Sequence, residues 1–366
     1  MLGILDTQYL APYSQRLMIA PHPATARSLT TGVALIGLLL AGCGSSSDDA
    51  APAALADSTI TVYSGRGEDL IQPVFDRFEA ETGAIVEVRY LGSAEAALLI
   101  DTEGDASPAD VVISQSPGAI GFLDQAGRLA PLDGSILERV DPGFRAASGT
   151  WAGITGRVRT LVYNTDLVDP SDLPVSVLDL VDERFAGQVA VAPANGSFQD
   201  FVTAMRAELG DDVTAEWLAG MAANDSPNYA KNSAIVDAVT RGEVPMGLVN
   251  HYYLPEALEE DPGLPGENHF FPDGDLGSLL IVSAAAVVDT SDHPEAAAAL
   301  IAYLLSDDAQ RLSAEGEKEY PLVAGIAAPA GLAPLQDVAA VVVDLDVLAG
   351  GLAGTQDLIA QSGIEQ

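Results

Sequence analysis

Thr59-Ile60-Thr61-Val62-Tyr63-Ser64-Gly65-Arg66-Gly67 is the stretch from which the fold is read. Its first five residues alternate as a half-buried strand does, and Ser64 to Gly67 break that pattern with a turn. Asp69 to Thr82 then carries Leu70, Ile71, Val74, Phe75 and Phe78 at helical spacing. Val86 to Tyr90 predicts a second strand and Ala94 to Thr102 a second helix. Asp110 to Ser114 predicts a third strand, short and apolar like those of a parallel sheet. Strand, helix, strand, helix, strand is the order of an open α/β sheet, which binds ligands beyond the carboxyl ends of its strands. The loops after Tyr63 and Ser114 are therefore expected at a cleft.

Further along, the pattern predicts a helix over Ile120 to Leu129 and a strand over Thr160 to Asn164, the latter a first crossing into a second lobe. Gln188 to Ala192 reads as a strand that ends at Pro193-Ala194-Asn195-Gly196-Ser197. Helices follow over Phe198 to Leu209, Ala215 to Ala222 and Ala234 to Arg241. Pro245 to Val249 is a strand, and the long apolar run Leu279 to Val288 is the return crossing. Pro294 to Leu305 and Asp307 to Glu315 are helical, and the Ala/Val/Leu-rich end, Leu335 to Ile364, is expected to be mostly helical. No internal repeat is visible. Roughly 310 residues follow the leader described below, more than one small core holds and natural for two lobes.

The strand ends share small or polar residues: Ser64, Gly65, Ser114, Asn195, Gly196, Ser197 and Asn250. Singly these are turn and cap chemistry. Together they can line a cleft with uncharged donors, as an anion site needs. Val249-Asn250-His251-Tyr252-Tyr253-Leu254-Pro255 adds a second kind of chemistry. On a strand the two tyrosines would face opposite ways. In the first turn of a helix they stand about 100° apart and can aim at one point. Pro255 suits such a turn, where its missing N–H has no partner to lose. The pair reads either as half-buried aromatics or as two hard oxygens for a small, highly charged cation that holds them as phenolates.

The chain opens with a poorly patterned leader, then Arg27, an apolar run from Val33 to Leu40, and Leu40-Ala41-Gly42-Cys43. A positive flank, a short greasy core and small residues describe a secretory signal over residues 1–42, which reads best from Met18. The run is too short to persist as a membrane span. A cysteine directly after Leu-Ala-Gly resembles a bacterial lipobox, with Cys43 as the lipid-bearing first residue. Residues 43–57, with Gly44-Ser45-Ser46-Ser47-Asp48-Asp49-Ala50 and an Ala/Pro run, read as a flexible tether. Cys43 is the only cysteine, so internal disulfides are excluded despite an oxidising compartment. Acidic side chains outnumber basic ones 53 to 16, for a formal charge of −37. Such a field repels nucleic acid and favours cations, although salt-adapted surfaces are acidic too. Lys231 and Lys318 are the only lysines.

With these pieces placed, the chain resembles the bacterial periplasmic ferric-iron-binding proteins, the substrate-binding components of iron ABC transporters. The likeness runs from about Thr59 to beyond Tyr320. It rests on Tyr63-Ser64-Gly65-Arg66, Ser107-Pro108-Ala109-Asp110-Val111, and Thr155-Gly156-Arg157-Val158-Arg159 leading to Val162-Tyr163-Asn164. Tyr229-Ala230-Lys231-Asn232-Ser233, Asn250-His251-Tyr252-Tyr253 and Glu319-Tyr320-Pro321-Leu322 follow in order. The resemblance implies a type II periplasmic-binding-protein fold: two α/β lobes joined by two crossover strands, with a ligand cleft between them. Lobe 1 would comprise 58–160 plus about 285–330, and lobe 2 161–284 plus about 331–366.

It also implies Fe³⁺ bound by Tyr252 and Tyr253 as phenolates, together with a synergistic anion, carbonate or phosphate-like. The anion's binders by position would be Arg157, Ser116, Asn195 with the N–H groups of Gly196 and Ser197, Asn232 and Asn250. The sequence departs from the pattern in three places. Gly67 stands where many relatives carry a metal-binding His, Gln115 where many carry an acidic ligand, and Phe198 where some use a third Tyr. Glu68, Glu95 and Tyr90 are possible extra ligands, and anion oxygens and water would complete a roughly six-coordinate shell. His251 is expected to aim away from the phenols.

The expected protein is thus a monomeric, lipid-anchored carrier on the periplasmic side or outer face of the cytoplasmic membrane. It would deliver ferric iron to an ABC permease, touching the membrane by its lipid alone. A related carrier for an organic solute (a phosphonate, polyamine or sugar phosphate) is the alternative. No nucleophile motif, histidine-rich metal set or phosphate loop points to an enzyme.

Overall fold

A computed structural model describes residues 55–365 apart from 57, 116, 273, 339, 344–347, 349 and 350. The signal segment, Cys43 and Ser116 lie outside the described residues. The chain opens with β1 (Thr59–Ser64), α1 (Glu68–Thr82), β2 (Ile85–Tyr90), α2 (Ser93–Glu103) and β3 (Val111–Ser114). β1 pairs in parallel with both β2 and β3. The α/β order expected from the opening stretch is therefore the one observed. α1 forms because Ile71, Val74, Phe75 and Phe78 make one apolar face, all buried. Glu68 and Asp69 complement its N-terminus, and Gly83 ends it in the left-handed region at φ 75°. The turn after β1 is drawn tight: a Cβ on Gly65 would stand 2.3 Å from Ser93 Oγ and 3.0 Å from the Ile113 carbonyl oxygen. The loops at the carboxyl ends of β1 and β3 and the start of α2 thus meet.

α3 (Pro117–Gln125) and the single turn α4 (Gly134–Leu137) lead into β4 (Trp151–Asn164). β4 is longer than the sequence pattern predicted. It begins at Trp151 rather than Thr160, and all fourteen of its residues are buried. Gly153, Gly156, Arg157 and Arg159 break the apolar alternation, so its first half does not read as a strand from sequence. Beyond it come β5 (Val189–Ala190), α5 (Gly196–Leu209), α6 (Asp211–Ala223), α7 (Asn232–Thr240), β6 (Met246–Asn250), α8 (Tyr253–Glu260), β7 (Gly266–His269) and β8 (Leu280–Val287). The chain ends with α9 (Pro294–Leu304), α10 (Asp307–Glu317), β9 (Tyr320–Pro321) and α11 (Leu352–Ser362).

β4 holds two sheets together. Its first half pairs antiparallel with β8 and β9, and β8 continues to β3, giving the order β2-β1-β3-β8-β4. Its second half pairs antiparallel with β6 on one edge and β7 on the other, and β5 adds in parallel to β6. β8 carries the chain back to the first sheet. This is the expected type II binding-protein architecture, two α/β halves linked by crossing strands. α5 and α6 pack on each other, and α11 packs on both.

The carboxyl-terminal expectation is met in part. Among the described residues between Leu335 and Ile364, α-helix is confined to α11, a 3₁₀ turn covers Leu335–Asp337, and Val341 bridges Leu279 as extended chain. Pro329, Pro334 and the glycines at 331, 350 and 351 interrupt an alanine-rich composition that alone favours helix. Among the described residues no helix is long and apolar enough to cross a membrane.

Candidate cation and anion site

The tyrosine pair sits at the junction of β6 and α8. Tyr252 is the N-cap and already has helical backbone angles, φ −75° and ψ −22°; Tyr253 opens the helix. Their rings lie side by side, centroids 4.2 Å apart and planes at 32°. Strand geometry would have turned them to opposite faces; the helical turn brings them together. Both are partly buried. Burial, the neighbouring Tyr253 phenol and nearby Glu319 push the Tyr252 hydroxyl far above the ordinary tyrosine range, against the pull of Arg157. In the empty protein Tyr252 is a neutral phenol; an anionic form needs a cation to stabilise it. Among the described residues no group of three or more His, Cys, Asp and Glu is placed to hold a metal.

His251 is fully buried and does aim away from the phenols. Its Nδ1 accepts from the Val158 N–H of β4 at 3.1 Å, and its Nε2 lies 3.0 Å from the Lys318 carbonyl, which it meets as donor. It stacks on Tyr320 at 4.6 Å and meets Tyr252 edge-on at 5.8 Å. One imidazole thus fixes the β6–α8 junction to β4 and to the segment before β9.

Of the predicted anion binders, Asn195 and Asn232 meet Ser197 directly and Asn250 reaches it through Arg159, whereas Arg157 does not contact it. The Asn195 side chain caps α5, its Oδ1 accepting from the Ser197 N–H at 3.0 Å and the Ser197 hydroxyl at 2.7 Å. The Ser197 hydroxyl also accepts from Asn232 Nδ2 at 3.0 Å and Arg159 Nη1 at 3.3 Å. Arg159 Nη1 further donates to Asn250 Oδ1 at 3.1 Å. The Ser197 N–H is therefore occupied by Asn195, whereas a Cβ on Gly196 would meet nothing within 4 Å, leaving space at the helix start. Among the described residues, Asn232 Oδ1 and Arg157 Nε are buried without a hydrogen-bond partner.

A cavity of about 680 Å³ opens in front of α5, lined among others by Ser93, Glu95, Gln115, Arg157, Gly196, Ser197 and Gln356. Arg157 both lines it and lies in electrostatic range of Tyr252. Tyr252, Tyr253, Asn232 and Asn250 are not part of its lining.

The three departures from the family pattern have structural accounts. Gly67 is the exposed N-cap of α1. Gln115 faces the cavity, and its carbonyl accepts from Arg157 Nη2. Phe198 is wholly buried against Phe201 and Trp217, ring centroids 6.1 and 6.4 Å away. Of the possible extra ligands, the Tyr90 hydroxyl donates to Gln72 Oε1 at 2.5 Å, the Glu95 carboxylate accepts the Gly92 N–H at 3.4 Å, and Glu68 is an exposed first-turn residue of α1.

Sequence reasoning passed over a buried charge network beside the pair. Arg66 donates to Thr155 Oγ1 (3.1 Å), Ser283 Oγ (2.7 Å), Glu319 Oε2 (3.1 Å) and Glu317 Oε2. Thr155 donates to Glu319 at 2.5 Å, and Arg157 lies 3.9 Å from the same carboxylate. Arg66, Arg157 and Thr155 hold Glu319 ionised, below its ordinary value; burial pushes Glu317 up to about 8. Arg66, Glu319 and Arg159 all lie in motifs recognised in the sequence. Their burial was invisible there, because long charged side chains are ordinarily exposed.

Comparison with known proteins places the chain in a family. Residues 63–311 match the family model of bacterial extracellular solute-binding proteins. The Fe(3+)-binding periplasmic protein of Serratia marcescens is 34% identical over 301 residues, 80% of this chain and 88% of that protein. The crystal structure of iron-bound HitA from Pseudomonas aeruginosa superposes with a TM-score of 0.78 at 32% identity, covering 84% of this chain and 99% of that one. A Trichodesmium protein in complex with iron and citrate ligands gives 0.73 at 26% identity, covering 84% and 99%. The chain belongs to the bacterial extracellular solute-binding proteins, in the family of periplasmic ferric-iron-binding proteins.

Proposed function

We propose that this protein captures Fe³⁺ with a synergistic anion outside the cytoplasm and hands it to an ABC permease, held at the membrane by a lipid on Cys43. The observation that carries this is the tyrosine pair: two phenols 4.2 Å apart, ring to ring, at the first turn of α8. Hard oxygen donors suit a small trivalent ion. Tyr252 and Tyr253 bind it as phenolates. Arg157, Ser116, Asn195, Gly196, Ser197, Asn232 and Asn250 hold the carbonate or phosphate-like anion, whose oxygens complete the iron's shell in place of the side chains missing at Gly67, Gln115 and Phe198. Arg157 forks onto two anion oxygens.

The lobes, 58–160 with about 285–330 and 161–284 with about 331–366, close about β4 and β8 over the iron. The packing of α11 on α5 and α6 supports placing the carboxyl-terminal segment with the second lobe.

Iron–phenolate complexes absorb visible light. Purified protein given Fe³⁺ and bicarbonate should take up one iron and show a visible band. Tyr252→Phe with Tyr253→Phe should abolish the band and the tight iron, with the iron-free protein melting as before. A colourless wild-type protein whose melting is unmoved by iron would sink the proposal, and metal and anion analysis of the protein as isolated would identify the anion.

A further inference from the structure

We propose that Lys318 is a positioning residue that latches the tyrosine-bearing helix α8 at both of its ends and so keeps the two donors aligned for the metal. The latch rests on the iron–phenolate reading above. α8 has little of its own to hold it. It is eight residues long, Leu254 is its one buried residue, and its N-cap, Tyr252, makes no side-chain cap bond. Helices that short are marginal by themselves and depend on what they pack against. Their charge matters too. Glu259 and Glu260 stand in the last turn of α8 with Asp261 as C-cap, and the turn has no base of its own to match the negative end of the helix.

Lys318 supplies what is missing. Its ammonium reaches Glu259 Oε1 at 2.6 Å, in that last turn. Its carbonyl accepts from His251 Nε2, 3.0 Å away, at the residue before the N-cap. His251 in turn meets the Tyr252 ring edge-on at 5.8 Å. The anchor behind Lys318 is firm. Glu317 and Glu319, on either side of it, both accept from Arg66, which also donates to Thr155 of β4 and Ser283 of β8. Tyr320 stacks on His251 at 4.6 Å. Lys318 itself ends α10 in the left-handed region at φ 55°, where glycine sits freely and a side chain is strained. Its side chain is only 12% exposed, low for a lysine. The ammonium also donates to the Glu315 carbonyl at 2.8 Å, and Glu256 of α8 is a second carboxylate within its field. α8 lies against β7 of the second sheet and α10 against β9 of the first, so the latch spans the two halves.

The test compares wild type, Lys318→Met, Lys318→Gly, Glu259→Gln and the Lys318→Met, Glu259→Gln double variant. Hydrogen exchange and melting are measured on the iron-free proteins. The visible band and iron retention against citrate are measured after loading with ferric nitrate and bicarbonate. Lys318→Met should speed exchange of the α8 amides, leave the other helices unchanged, and weaken iron retention about 3-fold, the scale of a part-exposed ion pair. The band should stay at the wild-type wavelength, because the donors are the same. Lys318→Gly relieves the backbone and lacks the ammonium, so it should melt no lower than Lys318→Met and lose iron equally; it carries the comparison if Lys318→Met does not fold. Adding Glu259→Gln to Lys318→Met should cost nothing further, because the two act as one pair. Wild-type exchange and retention in Lys318→Met would overturn the inference, as would losses that add in the double variant or retention recovered in Lys318→Gly. A wild-type protein with no band would overturn the iron reading, and the exchange comparison would then still decide the latch.

Discussion

His251 shows how one side chain outside the donor set governs the pair beside it. Its two ring nitrogens are committed in opposite senses, one accepting from Val158 N–H and one donating to the Lys318 carbonyl. A second ring proton would face an N–H, and burial lowers its pKa to about 4. A depressed folded-state value below the unfolded one means that the unfolded chain takes up the proton first as pH falls. His251 therefore contributes stability in full above about 6.5, and loses it on going down to about 4, by roughly 3 kcal/mol. Glu317, raised to about 8, runs the other way: its contribution is present below the unfolded carboxylate value and is lost as pH rises through 8. The two slopes overlap, so the comparison must be with a variant. Urea unfolding of iron-free His251→Gln at pH 7 and pH 4.5 should show a smaller loss on acidification than wild type. Equal losses would mean that the imidazole is not held neutral as described. The sequence placed His251 beside the tyrosines and aimed it elsewhere. What it met there, strand β4 and the carbonyl before Glu319, depends on contacts across 93 and 67 residues.

At the scale of elements, α5 decides which donors the site has. Its cap, Asn195, and the small residues after it were legible as a helix start, because Asn followed by Gly and Ser at a strand end is cap chemistry. The orientation of Phe198 was not. It faces the core with Phe201 and Trp217, the sheltered side of a helix whose N-terminus faces the cavity. Phe198→Tyr should therefore not restore the third tyrosine seen in some relatives. It would bury a hydroxyl among aromatic rings at a cost of about 1–3 kcal/mol in denaturant unfolding and leave the iron band where it is. A stronger or shifted band would show that the side chain reaches the metal. β4 teaches a related lesson. Its second half read as a strand; its first half did not, because two glycines and two arginines replace the expected apolar positions. A Cβ at Gly153 would stand 2.5 Å from Val282 Cγ1 and 2.7 Å from the Phe144 carbonyl oxygen, so those glycines answer to neighbouring chain segments.

For the molecule as a whole, the two sheets are continuous through β4, and the proposed hinge lies in the strand that also carries Arg157 and Arg159. Closure of the lobes on iron should reduce the radius of gyration in solution scattering. The Tyr252→Phe, Tyr253→Phe protein given the same iron should not contract; equal radii for empty and loaded wild type would argue against hinge closure. The sequence by itself determined the α/β order, the adjacent tyrosine pair and the family, because strand alternation, helical spacing and turn residues are properties of neighbours in the chain. Tertiary structure alone decided that β4 joins both sheets, that among the described residues of the carboxyl-terminal stretch α-helix is confined to α11, that Phe198 turns inward, and that three arginines are buried with different partners. Those outcomes depend on which distant segments cover a residue and on whether an opposite charge lies within a few ångströms. No local pattern encodes that distance.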